Sequence, residues 1–188
     1  MNMPKVAPPP ESPQPDLLPI LVAPHKSLKT KARAVTDADM DHVRLLLPRM
    51  FDAMYKAPGI GLAAPQVDVL LRFAVVDLGN SKSKKHEPYD PIVLINPQII
   101  AVSGNLATRE EGCLSLPNQY ADVTRPAAVK VSFMTPEGNR REIEAEELLA
   151  ACLQHEIDHL DGVLFVDHIS ALKRNMIMRK LAKEQRFK

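Results

Sequence analysis

Between Glu146 and Leu160 the sequence runs EELLAACLQHEIDHL, and this segment constrains the fold more than any other. Leu148, Leu149, Ala150, Ala151, Cys152, Leu153, Ile157 and Leu160 make a helix here apolar nearly all round. Such a helix cannot lie on a surface with one face in water, so it belongs at the centre with the rest of the chain built around it. Upstream, Phe73 to Leu78, Ile92 to Ile100 and Ala128 to Thr135 are short Val- and Ile-rich runs bounded by Gly, Pro, Asn and Ser, which read as strands, with Arg141 to Ala145 as a further candidate. Before them, Met40, Val43, Leu47, Met50 and Met54 recur at helical spacing after a cap at Thr36 or Asp37 and stop at Pro58-Gly59. Pro48 inside that pattern is expected to kink or divide the helix. Strands in the middle with helices at either end give an α+β fold, with small antiparallel or mixed sheets packed around the central helix, an N-terminal helix and a C-terminal helix.

The central helix also carries His155-Glu156-Ile157-Asp158-His159, an H-E-x-x-H pattern. Residues four apart stand one turn apart on one helix face, so both imidazoles can reach a single cation. Two core histidines held by hydrogen bonds would also satisfy the pentapeptide taken alone. Glu156 discriminates, because a carboxylate in an apolar helix is costly unless a salt-bridge partner or a bound dication compensates it. Beside a metal it could take a proton from a metal-held water and hand it to a leaving amine, the general acid/base role of this motif in hydrolases. Catalytic sites of this type commonly use three protein ligands and keep one position open. Cys152 lies one turn N-terminal of His155, and side chains tilt toward the helix N-terminus, so its thiol is expected to form pocket wall or core. Cys113, in the turn-rich segment EEGCLSLP, can complete the site as a remote thiolate.

Three segments in order, GIGLAAPQ at Gly59 to Gln66, EGCLS at Glu111 to Ser115 and QHEIDHL at Gln154 to Leu160, resemble the signature motifs of peptide deformylases. The resemblance covers roughly Leu17 to His168. It implies a hydrolase that removes the formyl group from the N-terminal formylmethionine of nascent polypeptides and releases formate. It also implies that Cys113, His155 and His159 bind one divalent metal, Fe(II) natively with Zn, Ni or Co able to substitute, and that Glu156 works on the water. Gln66 and the backbone N–H of Leu114 would hold the oxyanion, a role worth about 3 kcal/mol of transition-state stabilisation where donors are preset. Ile60, Leu148, Cys152 and His155 would enclose the methionine side chain, Gly61 and Gly112 would also contact substrate, and Gly59 and Gly61 would let the backbone approach the peptide or serve as helix C-cap and turn. Glu111 and Arg125 match a pair that is ionic in the family. The sequence departs from the pattern at Asp68, where the family usually has Gly, at Pro48, and in its Pro-rich N-terminus.

Length and composition bound the rest. A chain of 188 residues suits one catalytic domain, placed here at 17–168. Eight of the seventeen prolines fall in the first 24 residues, so residues 1–16 read as a flexible Pro-rich arm. A net charge of +1 argues against a nucleic-acid binder relying on a basic surface, and no sequence-specific nucleic-acid binding is expected. Apolar runs fall short of the roughly 18 residues of a membrane span and no signal core is visible, so a cytoplasmic location without a membrane partner is expected. Two cysteines are too few for a disulfide framework, which favours a reducing compartment. Residues 169–188 form a basic amphipathic helix with Ile169, Leu172, Met176 and Leu181 as its apolar stripe. Its outer face is either simply solvated or, as the resemblance implies for some members, in contact with the ribosome. Two other functions compete: an endopeptidase of the zincin type drawing a ligand from Asp167 or His168, and a binding protein with a degenerate site.

Overall fold

A computed structural model describes residues 17–80 and 91–186. The Pro-rich arm at residues 1–16 and the last two residues of the C-terminal segment lie outside the described residues. The order of elements is α1 (Met40–Lys56), β1 (Gly61–Ala63), β2 (Phe73–Val76), β3 (Ile92–Val102), β4 (Leu106–Cys113), β5 (Leu116–Pro126), β6 (Ala128–Met134), β7 (Arg140–Glu146), α2 (Glu147–Leu160) and α3 (Ala171–Gln185). Five strands form an antiparallel sheet in the order β1-β2-β3-β6-β7, and β4 and β5 pair by themselves as an antiparallel hairpin. The fold is α+β with α2 at its centre.

The apolar circumference of α2 explains that position. Ala150, Cys152, Leu153 and Ile157 pack against Val76, Leu94, Val129, Val131 and Phe133 of the sheet, and Leu160 joins Ala32, Ala63 and Ala74 on another side. Leu153 and Leu160 are fully buried, and truncating either to Ala costs about 3 kcal/mol. The opposite face of the sheet is covered by α1, whose Val43, Met50 and Met54 are buried against Leu62, Phe73 and Ile95. That helix is neither divided nor ended by Pro48, because the proline falls on its exposed face, where solvent reaches the carbonyl that lacks a donor.

The hairpin was not legible as strands. Its inward positions in β5 are Leu116, Gln119, Val123 and Arg125, and β4 is mostly exposed, so neither shows the apolar alternation that marks a half-buried strand. The C-terminal stripe also needs correction. Ile177, Met178 and Leu181 pack onto Leu28, Leu116 and Phe165, whereas Leu172 and Met176 are 72% and 63% exposed. Ile169 packs there too but precedes the helix, which Ser170 caps by accepting from the Lys173 N–H at 3.3 Å. The turn after Gln66 keeps its shape despite the missing glycine: Asp68 adopts φ 64, a left-handed conformation that Asp tolerates, and its carboxylate accepts from the buried Ser27 hydroxyl.

Candidate metal centre

Three donor atoms meet where the hairpin touches α2. Cys113 ends β4 at a register shift, so its side chain turns out of the ladder and over the helix. His155 and His159 come from successive turns of α2, as the four-residue spacing requires. The Cys113 Sγ lies 3.2 Å from His159 Nε2, the two Nε2 atoms are 3.2 Å apart, and the ligating atoms all fall within 4.8 Å of one another. Burial pushes the His159 imidazole well below its usual range, which leaves a neutral ring with a lone pair. One thiolate and two imidazoles so arranged fit a first-row dication with a position left open.

Around this triad the side chains form a braced network. Glu111 accepts from His155 Nδ1 at 2.9 Å, which fixes the ring with Nε2 toward the triad. Arg125 holds the same carboxylate through two bonds of 2.6 and 3.0 Å and reaches Asp158 at 2.8 Å. Asp158 in turn meets His168 at 2.7 Å. Burial alone would raise the Glu111 carboxyl, but the bonds from His155 and Arg125 outweigh it and hold the group down at about 2. His168 is thereby occupied away from the triad, and Asp167 pairs with Lys29 and Arg174, so neither supplies the downstream ligand that a zincin arrangement would need.

Glu156 lies 3% exposed with Oε2 lacking any hydrogen-bond partner among the described residues. Burial pushes its carboxyl up to about 7. A buried unpartnered carboxylate oxygen beside three convergent donors is what a bound dication and its ligands would satisfy. Gly61 backs this carboxylate closely: a Cβ there would sit 2.2 Å from Glu156 Oε1.

Gln66, 1% exposed, is set by the turn after β1, where its Oε1 accepts from the Ala63 N–H at 2.8 Å. Its Nε2 donates to Ser115 Oγ at 3.1 Å and lies 3.6 Å from Cys113 Sγ. The adjacent strap from the N-terminal side ties both motifs together, since Leu21 N donates to Gln66 O and Ala23 N to Ser115 O.

A model of the polypeptide deformylase family matches residues 17–175. The chain is 50% identical over 167 residues to a peptide deformylase of Methylocella silvestris, covering 89% of this chain and 84% of that one. The chain belongs to the polypeptide deformylase family. A crystal structure of the Legionella pneumophila peptide deformylase superposes with a TM-score of 0.81 at 44% identity, covering 91% of this chain and 96% of that one. The Synechococcus elongatus peptide deformylase, solved in complex with actinonin, gives a TM-score of 0.78 at 40% identity over 94% and 90% of the two chains.

In this deformylase an open groove of about 630 Å³ leads to the triad. Ile60, Gly61, Gly112, Leu148 and Cys152 all line it, as do Gln66, Leu114, His155 and Glu156, while His159 is buried behind the lining. Cys152 stands outside the triad with its thiol 3.8 Å from the Ile60 carbonyl, and burial pushes that thiol well up, keeping it protonated. Gly112 is explained by its cross-strand neighbour, because a Cβ would meet the Tyr120 ring at 2.6 Å. Asp158, His168 and Ser115 were missed as supports of the site. Asp158 stands three residues after His155, but its role depends on the pairing of β4 with β5. Arg109 and Tyr120 of the groove were missed for the same reason.

Proposed function

We propose that this enzyme removes the formyl group from formylmethionine at the N-terminus of nascent polypeptides and releases formate. One observation carries the reading: three ligating atoms within 4.8 Å of one another stand beside a buried carboxylate whose Oε2 has no partner, at the end of a groove wide enough for a peptide. Cys113, His155 and His159 would hold one divalent metal. Fe(II) is the expected native ion, with Zn, Ni or Co able to occupy the same donors. When bound, the metal supplies Lewis-acid activation of water and of the formyl carbonyl.

Glu156 accepts the proton of the attacking water and returns it to the departing amine. Its raised pKa suits a group that must both take and give a proton near neutrality. Gln66 gives one N–H to Ser115 and directs the other toward Cys113 Sγ, and by turning from the sulfur to substrate it would, with the Leu114 N–H, meet the negative charge that develops on the carbonyl oxygen. Gly61 and Gly112 line the path of the peptide backbone. Ile60, Leu148 and Cys152 offer the methionine side chain an apolar wall.

No helix among the described residues is long and apolar enough to cross a membrane. A substrate emerging from the ribosome supports a cytoplasmic site of action. Lys173, Arg179, Lys180 and Lys183 are exposed on α3, and this basic face would contact the ribosome without reading base sequence.

The test is anaerobic formate release from formyl-Met-Ala by iron-loaded protein, beside an acetylated control and Glu156→Ala. Turnover of the formyl peptide alone, lost in Glu156→Ala while metal content persists, is expected. No formate from metal-loaded protein would overturn the proposal.

A further inference from the structure

Arg109 is the lone Lys or Arg among the described residues that line the groove, and nothing in the reaction uses it. Its position follows from the strand. Side chains alternate along β4, so Arg109 shares with Glu111 the face that meets α2, where Glu111 binds His155. It stands about 13 Å along the strand from Cys113, at four residues' rise. Across the groove, Leu148 lies about 10 Å along the helix from His155. The space leading outward from His155 between α2 and β4 is therefore lined by Ile60, Cys152 and Leu148, with the exposed Arg109 on the same lining further along the strand. Ala151, also on the groove side of α2, is too small to close off that end.

Among the described residues the Arg109 side chain has no hydrogen-bond or ion-pair partner. Glu147 borders the narrow crevice just beyond, together with Arg109 and Ala151, yet does not pair with it. A planar fork of five donors, exposed to solvent, thus borders the slot with no protein partner to hold it.

We propose that Arg109 makes the first side-chain pocket selective for a residue whose tip carries a strong hydrogen-bond acceptor, so that the enzyme takes peptides beginning with formylated methionine sulfoxide better than their apolar isosteres. This rests on the reading of Ile60, Leu148 and Cys152 as the walls of that pocket. The thioether of methionine is a weak acceptor, whereas oxidation places a polar S=O at the same point of the same unbranched chain. Norleucine has the matching length and no acceptor. A pocket closed by an apolar side chain would favour norleucine, because it would strip water from the sulfoxide oxygen and return no bond. Here Arg109 returns one, and a charged donor makes it stronger than a neutral bond. The consequence is that oxidised first residues on new chains remain substrates.

The experiment compares kcat/KM for three peptides differing only in the first residue, formyl-Met, formyl-Met sulfoxide and formyl-norleucine, in wild type and Arg109→Met. The sulfoxide-to-norleucine ratio is the readout, and any loss of folded enzyme cancels from it. The ratio should exceed one in wild type and fall about tenfold in Arg109→Met, the size of a single charge-assisted bond. Arg109→Lys, which keeps the charge and loses the fork, should fall between the two. A ratio below one in wild type, or one unchanged by Arg109→Met, overturns the proposal while leaving the deformylase reading intact. Absence of formate from the formyl-Met peptide would instead remove that reading, and the present one with it.

Discussion

Replacing Gly61 by Ala tests how tightly the fold holds Glu156. A Cβ at Gly61 would lie 2.2 Å from Oε1, 2.7 Å from Cδ and 3.0 Å from Cγ of Glu156. Ordinary contact between such atoms begins above 3 Å, so the carboxylate must retreat by about 1 Å or β1 must move. The strand cannot yield freely, because Gly61, Leu62 and Ala63 pair with Val76, Val75 and Ala74, and Leu62 and Ala63 are fully buried. The side chain therefore takes up most of the shift. A displacement of about 1 Å in a reacting group costs on the order of 100-fold in rate. Gly61→Ala should thus lower kcat/KM for a formylated peptide about 100-fold. Overpacking should cost about 1–3 kcal/mol, lowering the melting temperature by several degrees. Formate release and a thermal melt on the same metal-loaded sample would measure both. A variant within threefold of wild type would show that the carboxylate has room to spare and would refute the argument that Gly61 positions it.

Arg125→Met should leave the Glu111 carboxylate buried with His155 as its remaining partner; the expected loss is about 3 kcal/mol, seen as a melting point lowered by about 6–12 °C. Metal affinity should fall about 10- to 100-fold in the same variant, and a melt or a metal titration indistinguishable from wild type would count against the bracing role. In metal-free protein, Glu156 titrates near 7 when folded and near 4.5 when unfolded, so its protonated form favours the folded state fully below about 4.5 and that contribution is lost as pH rises through 7. The difference is on the order of 3 kcal/mol, and metal-free Glu156→Gln should lack it; parallel melting curves for the two proteins from pH 5 to 8 would sink this account. Asp68→Ala, which keeps the left-handed backbone and removes the acceptor of the buried Ser27 hydroxyl, should cost about 2 kcal/mol in urea unfolding, and Asp68→Gly about half as much.

Much of the centre could be read from one helix because its chemistry and its packing share a periodicity. The residues that make α2 apolar all round fix its place among the sheet, and the same 3.6-residue repeat sets His155 and His159 side by side. Cys113 was a different case. Only its turn-rich context and the motif around it singled it out, and the distance of 3.2 Å to His159 arises from a register shift at the end of β4 that no local pattern announces.

What escaped the reading shares one cause. The hairpin of β4 and β5 divides its inner face between an apolar cluster that takes Leu116 and Val123 and the polar network that supports the triad. Glu111 meets His155, and Arg125 meets both Glu111 and Asp158. Strands whose buried positions are occupied by Glu, Gln and Arg lose the apolar alternation from which strands are recognised, because the free energy of those positions comes from paired charges and hydrogen bonds. The site therefore conceals the element that holds it. On α3 two apolar pairs compete, Leu172 with Met176 and Ile177 with Leu181, each at a spacing of four. Only the location of Leu28, Leu116 and Phe165 selects the second pair for burial. Local periodicity establishes that a helix exists; which of its faces turns inward is decided by its partners, Leu28 of the N-terminal segment and Leu116 of the hairpin, distant in sequence, together with Phe165 just before the helix.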